Sequence, residues 1–186
     1  MNVRETILKR RAYRSLEPIL ISQDIINSLK EVVQIAPSCM NKQPWKFIFI
    51  QKKSIMQQIF KTLTSGNKWV ENASLIIGVV SKPEDDCIIG ERLYYLFDTG
   101  MACAFLILRA TELGLIAHPI AGFDEQKAKE ILKIPNEMRL ITLINIGKKS
   151  ENINPILSEP MKLGEKNRPP RKSLEDITYQ NYYGES

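Results

Sequence analysis

Ala36-Pro37-Ser38-Cys39-Met40-Asn41-Lys42-Gln43-Pro44-Trp45 is the stretch on which the reading of this chain turns. Two prolines bracket small and amide-bearing residues, and the run separates an apolar helical pattern from an apolar strand pattern. Proline fixes φ and removes an N–H donor, so neither regular element extends readily through it. The run is therefore expected to be a shaped loop displaying polar groups, and loops held by a rigid scaffold are where ligands are usually bound.

Upstream of this loop, Ser22 stands as an N-cap before Ile25, Ile26, Leu29, Val32 and Val33, whose spacing predicts a helix over 22–35 that Pro37 ends. Downstream, Trp45–Ile50 reads as a strand because aromatic and β-branched residues dominate it. A helix is predicted over 54–63, a polar loop over 64–68, and a strand over Leu75–Val80 that is apolar on both faces and so central in its sheet. Residues 81–86 read as a surface loop. From Arg92 to Leu113 the positions Leu93, Leu96, Phe97, Met101, Ala104, Phe105 and Leu108 predict a long helix with Gly114 as its C-terminal cap. The small side chains of Gly100–Ala104 at its centre suit close packing, either within one core or at a subunit interface. Asp124 caps a short helix through Leu132, and Leu140–Ile146 is another buried strand. Residues from about 148 to 186 are polar and proline-bearing, and are expected to wrap the domain or reach a partner subunit. Alternating helices and short apolar strands predict one α/β or α+β domain over 1–186, built on a single sheet.

A chain of 186 residues can bury roughly 70% of its unfolded surface and fold without staples. The three cysteines, Cys39, Cys87 and Cys103, show no C-x-x-C spacing and read as reduced cytosolic thiols. With one histidine, His118, no metal cluster is expected. No run approaches ~18 apolar residues and no signal-peptide pattern opens the chain, so a cytoplasmic protein without a membrane partner is expected. The net charge of +5 favours anionic ligands.

The inventory for side-chain catalysis is poor. His118, just before Pro119, reads as a structural residue, and Cys39 follows a helix C-terminus, which raises rather than lowers a thiol pKa. No G-x-G-x-x-G follows a strand and no G-x-x-x-x-G-K loop occurs. A shaped loop and clustered arginines without an acid, base or nucleophile suggest that a bound cofactor performs the chemistry. On a helix, Arg10 and Arg14 would lie one turn apart with Arg11 adjacent, able to converge on one anion; the competing use is a solvated helix end. A second basic cluster, Asn167-Arg168-Pro169-Pro170-Arg171-Lys172, reads by itself as a solvated tail or a weak nucleic-acid patch. A small basic nucleic-acid or anion-binding module is thus the rival reading, weakened by the absence of a concentrated basic stripe with interleaved aromatics.

Taken in order, Arg10-Arg11-Ala12-Tyr13-Arg14, the Ala36–Trp45 loop, Asp98-Thr99-Gly100-Met101-Ala102, Glu112-Leu113-Gly114-Leu115, Pro119-Ile120-Ala121-Gly122-Phe123-Asp124 and Pro170-Arg171-Lys172-Ser173-Leu174-Glu175-Asp176-Ile177 resemble the successive signatures of the flavin-dependent nitroreductase family. The resemblance implies a three-layer α+β fold with a central mixed or antiparallel sheet flanked by helices. It also implies an intertwined homodimer with FMN sites at the subunit interface. It implies that Arg10 and Arg171 hold the FMN phosphate, that Arg11 and the Ala12 backbone lie along phosphate and ribityl chain, and that Arg14 faces the pyrimidine edge of the flavin. Pro37, Ser38, Cys39 and Asn41 would come from the other subunit. Ala121 and Gly122 would lie beside the ring, the Gly122 N–H meeting N5, while Asn67 is a further candidate contact. The implied activity is ping-pong electron transfer from NAD(P)H to a small acceptor such as a nitroaromatic, quinone, enone or flavin, with no side chain serving as acid or base. Family members that use reduced flavin for dehalogenation, dehydrogenation or flavin breakdown are the alternative. Family members often carry serine at Ala12, an acidic residue at Ala121 and lysine at Pro169, which predicts a phosphate site weaker by one cation and more open access near N5.

Overall fold

A computed structural model describes residues 2–184. Five strands form the main sheet. Helix α1 (Val3–Lys9) leads to the two-residue strand β1 (Leu16–Glu17), then α2 (Gln23–Gln34), β2 (Lys46–Ile50), α3 (Lys53–Phe60) and β3 (Leu75–Ser81). A small hairpin, β4 (Ile88–Ile89) and β5 (Arg92–Leu93), precedes the long helix α4 (Tyr95–Glu112). Strand β6 (Ile116–Ile120), helix α5 (Glu125–Leu132), the long strand β7 (Arg139–Lys149) and helix α6 (Glu159–Lys166) complete the order.

The main sheet runs β1-β7-β3-β2, with β6 also paired to β7, and every pairing is antiparallel. Strand β7 is long enough to hold β3 along one edge and β6 then β1 along the other. Because strand side chains alternate between faces, β3 sends Leu75, Ile77 and Val79 to one side and Ile76 to the other. Val80 falls on the same side as Ile76 by the same alternation, and a bulge opposite Val79 and Val80 leaves Ile141 of β7 without a partner on β3.

Each face packs its own layer of helices. On one, Ile26, Leu29 and Val33 of α2 and Leu106 and Ala110 of α4 meet β3 and β7. On the other, Met56 and Ile59 of α3, Ala128 of α5 and the buried Trp69 and Val70 cover the sheet. The architecture is the three-layer α+β fold with a central antiparallel sheet. The predicted helices at 22–35 and 124–132 appear with Ser22 and Asp124 as caps, their side chains accepting from Ile25 N–H and Lys127 N–H.

Elsewhere the structure differs from expectation. Of the polar loop expected at 64–68, residues 65–68 lie within a 3₁₀ run over Ser65–Asn72 with Thr64 as its N-cap, and Trp69 and Val70 of that run are buried. The expected helix from Arg92 starts at Tyr95, because Arg92 and Leu93 pair with Ile89 and Ile88 in the hairpin. Of the C-terminal segment, Asn154, Leu157 and Glu165 are buried against the domain, whereas residues 167–184 are exposed. Among the described residues no helix is long and apolar enough to cross a membrane.

Candidate functional site

Helix α1 opens with a capping box between Asn2 and Glu5 and stops at Lys9, so Arg10 is its C-cap with the backbone already turned out of the helix (φ −55°, ψ 123°). The helical convergence of Arg10, Arg11 and Arg14 is therefore corrected. Glu165 supplies the reason. Its two carboxylate oxygens accept the N–H groups of Arg14 (2.9 Å) and Ser15 (3.0 Å), satisfying on α6 donors that a helix would have bonded internally.

Tertiary structure gathers the arginines instead. Arg168 donates to the carbonyls of Leu8 (2.5 Å) and Arg10 (3.2 Å), while Arg11 donates to those of Gly164 (2.6 Å) and Asn167 (3.0 Å). These bonds fasten the two basic segments together across nearly the full length of the chain. Burial, and then the charges of Arg168, Arg171 and Arg11, hold the Arg10 guanidinium below its ordinary pKa. Among the described residues none of Arg10, Arg11, Arg14, Arg168 and Arg171 is paired with a carboxylate. Like charges held together without a counter-charge disfavour their own ionised state, and a bound oxyanion relieves that cost. Arg171 itself is exposed.

A second feature lies where β6 leads into α5. The Gly122 carbonyl accepts from Thr64 N–H (3.1 Å), Thr64 Oγ1 (3.1 Å) and Asn67 Nδ2 (3.0 Å). A Cβ at this position would lie 2.4 Å from Asn67 Nδ2 and 2.7 Å from Thr64 Oγ1, so only glycine fits without displacing them. The Gly122 N–H has no protein acceptor among the described residues, which leaves a fixed donor for a ligand. Ala121 beside it is exposed, as is Ala12.

An unbroken path of contacts joins this glycine to the arginine segment. Asn67 Oδ1 accepts from the Trp69 indole N–H (3.3 Å), the Trp69 ring lies 4.6 Å from that of His118, and His118 Nδ1 donates to the Tyr13 carbonyl (3.0 Å). The Tyr13 ring in turn lies 4.7 Å from the Arg11 guanidinium.

His118 is thus the structural residue expected from sequence. Burial first, opposed by the Tyr13 hydrogen bond and aided by Arg14 and Arg10, pushes it down to about 4. Its folded pKa lies below the ordinary value, so between about 6.5 and 4 the unfolded chain binds the extra proton and stability falls as pH falls. Unfolding titrations should show roughly 3 kcal/mol lost across that window, flattened in His118→Gln; an NMR pKa above 6 for His118 would refute the assignment.

The 36–45 loop is held elsewhere. Ser38 and Cys39 are half-buried while Pro37 and Asn41 are exposed. The Cys39 N–H donates to Asp98 Oδ2 (2.6 Å) in the first turn of α4, and Ser38 Oγ accepts from Gln43 N–H (2.9 Å). Among the described residues no hydrogen bond or ion pair of this loop reaches residues 10–14 or 171. The expectation of three reduced thiols is corrected for two of them: Cys39 is disulfide-bonded to Cys87, with 6.1 Å between Cα atoms. The pair is 48 residues apart, a proximity that spacing along the chain does not reveal. Cys103 remains free in α4, its thiol pushed up to about 12 by burial. Among the described residues no group of His, Cys, Asp and Glu could hold a metal.

Arg168, Glu165, Asp98 and Thr64 were not singled out as site residues from sequence. Arg168 and Asp98 lie inside segments that were, and their individual roles depend on contacts made across the fold.

The family model described as "Nitroreductase family" matches residues 7–76 and 90–148. A Streptococcus pyogenes protein provisionally named NAD(P)H nitroreductase is 26% identical over 189 aligned positions, covering 82% of this chain and 92% of its own. Among solved structures, a nitroreductase family protein from Clostridium novyi NT superposes with a TM-score of 0.76 at 27% identity, covering 100% of this chain and 97% of that one. A protein of Exiguobacterium sibiricum 255-15, provisionally named a nitroreductase and solved in complex with FMN, superposes with a TM-score of 0.80 at 19% identity, covering 97% and 98%. The latter likeness shows the fold.

Proposed function

Since the chain belongs to the nitroreductase family, we propose that it is an oxidoreductase that works with FMN, taking NAD(P)H as donor and a small nitroaromatic, quinone, enone or flavin as acceptor. The observation that carries this reading is the meeting of unpaired arginines from both ends of the chain, joined through Tyr13, His118, Trp69 and Asn67 to a glycine whose N–H is free. An anionic group at one end and a planar heterocycle needing a donor at the other suit those two features, and the residues present fit FMN. The solved FMN complex of the Exiguobacterium protein and the NAD(P)H in the Streptococcus protein's name point the same way.

Bound FMN would supply two-electron exchange between the nicotinamide and the acceptor in alternating half-reactions. Arg10 and Arg171 hold the phosphate, a group carrying roughly −1.5 to −2 charges if it behaves as phosphoserine does. Arg168 is committed to the Leu8 and Arg10 carbonyls, so it fastens the C-terminal segment and adds charge at longer range rather than standing in for the lysine that family members often carry at Pro169. Arg11 is committed to the Gly164 and Asn167 carbonyls, so it fastens the C-terminal segment and contributes charge at longer range. Arg14 would supply a cation to the pyrimidine edge, and the Ala12 backbone would serve the ribityl chain. The Gly122 N–H, on a residue held in place by three donors to its carbonyl, would be the donor to the flavin ring, and the exposed Ala121 would leave the approach beside it open. His118 is held neutral with its Nδ1 proton engaged, so it donates no proton to substrate.

Pro37, Ser38, Cys39 and Asn41 complete the site from a second copy in a homodimer. Ile7, Leu8, Leu96, Phe97 and Phe105 leave α1 and α4 with exposed apolar side chains. Beside them an open groove of about 320 Å³ is lined by Val3, Thr6, Val32, Phe105, Leu108, Arg109 and Glu112. Apolar surface on this scale suits burial between subunits.

Purified protein should be yellow, dimeric by light scattering, loaded with stoichiometric FMN, and bleached anaerobically by NADH or NADPH. Protein that cannot be loaded with FMN would overturn the reading, and an FMN-loaded monomer would remove the partner's loop from the site.

A further inference from the structure

We infer that Cys39 and Cys87 form a reversible redox modification site that clamps the 36–45 loop to the hairpin preceding α4. The bond joins two surface segments. Neither cysteine belongs to the buried clusters on the two faces of the sheet, so the core is complete without it. Cys39 opens a 3₁₀ turn in a loop where Met40 (φ 48°), Asn41 (φ 55°) and Gln43 (φ 48°) all hold left-handed backbone, a conformation that non-glycine residues keep only where their surroundings impose it. Within the loop the Ser38 and Cys39 carbonyls accept from Asn41 and Lys42 N–H, the Ser38 hydroxyl accepts from Gln43 N–H, and the Gln43 amide donates to Asn41; what ties the loop to the rest of the chain is the Asp98 carboxylate on Cys39 N–H, the Ser81 hydroxyl on the Pro44 carbonyl, and the link to Cys87.

The other anchor is firm. Cys87 donates its N–H to Asp86 Oδ1 (2.7 Å) and accepts from Tyr94 N–H (3.2 Å), so it closes the base of the β4–β5 hairpin. Making or breaking the sulfur link thus adds or removes one of the main restraints on a loop whose backbone is uphill. Cys39 is half-buried and Cys87 nearly fully buried, so exchange starts at Cys39. Cys103 supplies an internal control: it is half-buried in α4, without a cysteine partner, and burial raises its thiol pKa, which keeps its thiolate fraction small.

With a low-molecular-weight disulfide as oxidant, the Cys39 thiolate attacks one of its sulfurs, forming a mixed disulfide and releasing one small thiol. The Cys87 thiolate then attacks the Cys39 sulfur, forming the internal bond and releasing the second small thiol. Two protein thiols are oxidised and one small disulfide is reduced to two thiols. A small dithiol reverses both steps.

The test equilibrates the whole protein with glutathione buffers of varied ratio, traps thiols by native alkylation and maps the peptides. A linked Cys39–Cys87 peptide should form in oxidised buffer and disappear with dithiothreitol under native conditions, while Cys103 labels more slowly in the native protein than after unfolding and joins no linked peptide. Trypsin should cut after Lys42 roughly tenfold faster in the dithiol form and in Cys87→Ser than in the disulfide form. Glutathione adducts without a linked peptide, a link that resists dithiothreitol until the protein unfolds, or equal cleavage in both states would overturn the inference. That loosening also weakens FMN retention rests on the flavin reading; a protein that switches by mapping and proteolysis yet never binds FMN would refute that reading alone.

Discussion

Replacing Arg171 with alanine should raise the Kd for FMN by roughly 10- to 100-fold, because a charge-assisted contact to a phosphate contributes about 1.5–3 kcal/mol. Arg171 is exposed and carries no carboxylate partner among the described residues, yet lies close enough to Arg10 to depress its pKa. Its removal should therefore leave the unfolding free energy nearly unchanged while weakening the anion. Lys172→Ala, one position along the same exposed segment, should change the Kd little. Fluorescence titration of FMN into apoprotein reads both, and equal affinity in the Arg171 variant would take that residue out of the site. Raising salt should weaken the wild-type complex more than the Arg171→Ala complex, since one fewer cation is then screened.

Trp69→Ala should destabilise the protein by about 3–5 kcal/mol, the usual cost of deleting a buried indole and leaving a cavity. Trp69 is 1% exposed, sits within the cluster that covers one face of the sheet, lies against His118 and donates its N–H to Asn67 Oδ1. The same change frees Asn67, whose amide helps hold the Gly122 carbonyl, so FMN retention should weaken along with stability. Trp69→Phe, which keeps most of the burial but not the donor, should cost less in unfolding yet still loosen Asn67. Urea unfolding with an unchanged m-value is the measurement, and a loss below 1 kcal/mol would show that Trp69 does not couple the core to the glycine.

Helices α2 and α5 were legible because a side-chain cap, an apolar stripe and a stop all agree at each. Strands β2, β3 and β7 were legible because β-branched and apolar runs have few other uses. Strand β6 was not, since His118 and Pro119 interrupt its pattern. Pro119 is tolerated because among the described residues β6 pairs with β7 alone and leaves its other edge without a ladder to break. Helix α6 was hidden by Pro160 at its start and Gly164 within it, and the β4–β5 hairpin by its two-residue strands.

The candidate site divides in the same way. The arginine motifs, the proline-bracketed loop and the Ala121-Gly122 turn were visible as residue types in order along the chain, and with them the family resemblance that the comparisons bear out. That Arg168 meets Leu8 and Arg10, that Glu165 takes the N–H groups an α1 extension would have used, and that Cys39 reaches Cys87 are contacts between residues 48 to 160 positions apart. Local pattern reports propensity and periodicity, which act over a few residues. Which distant groups become neighbours is decided only when both faces of one sheet are buried and the chain ends are carried to wherever that burial leaves them.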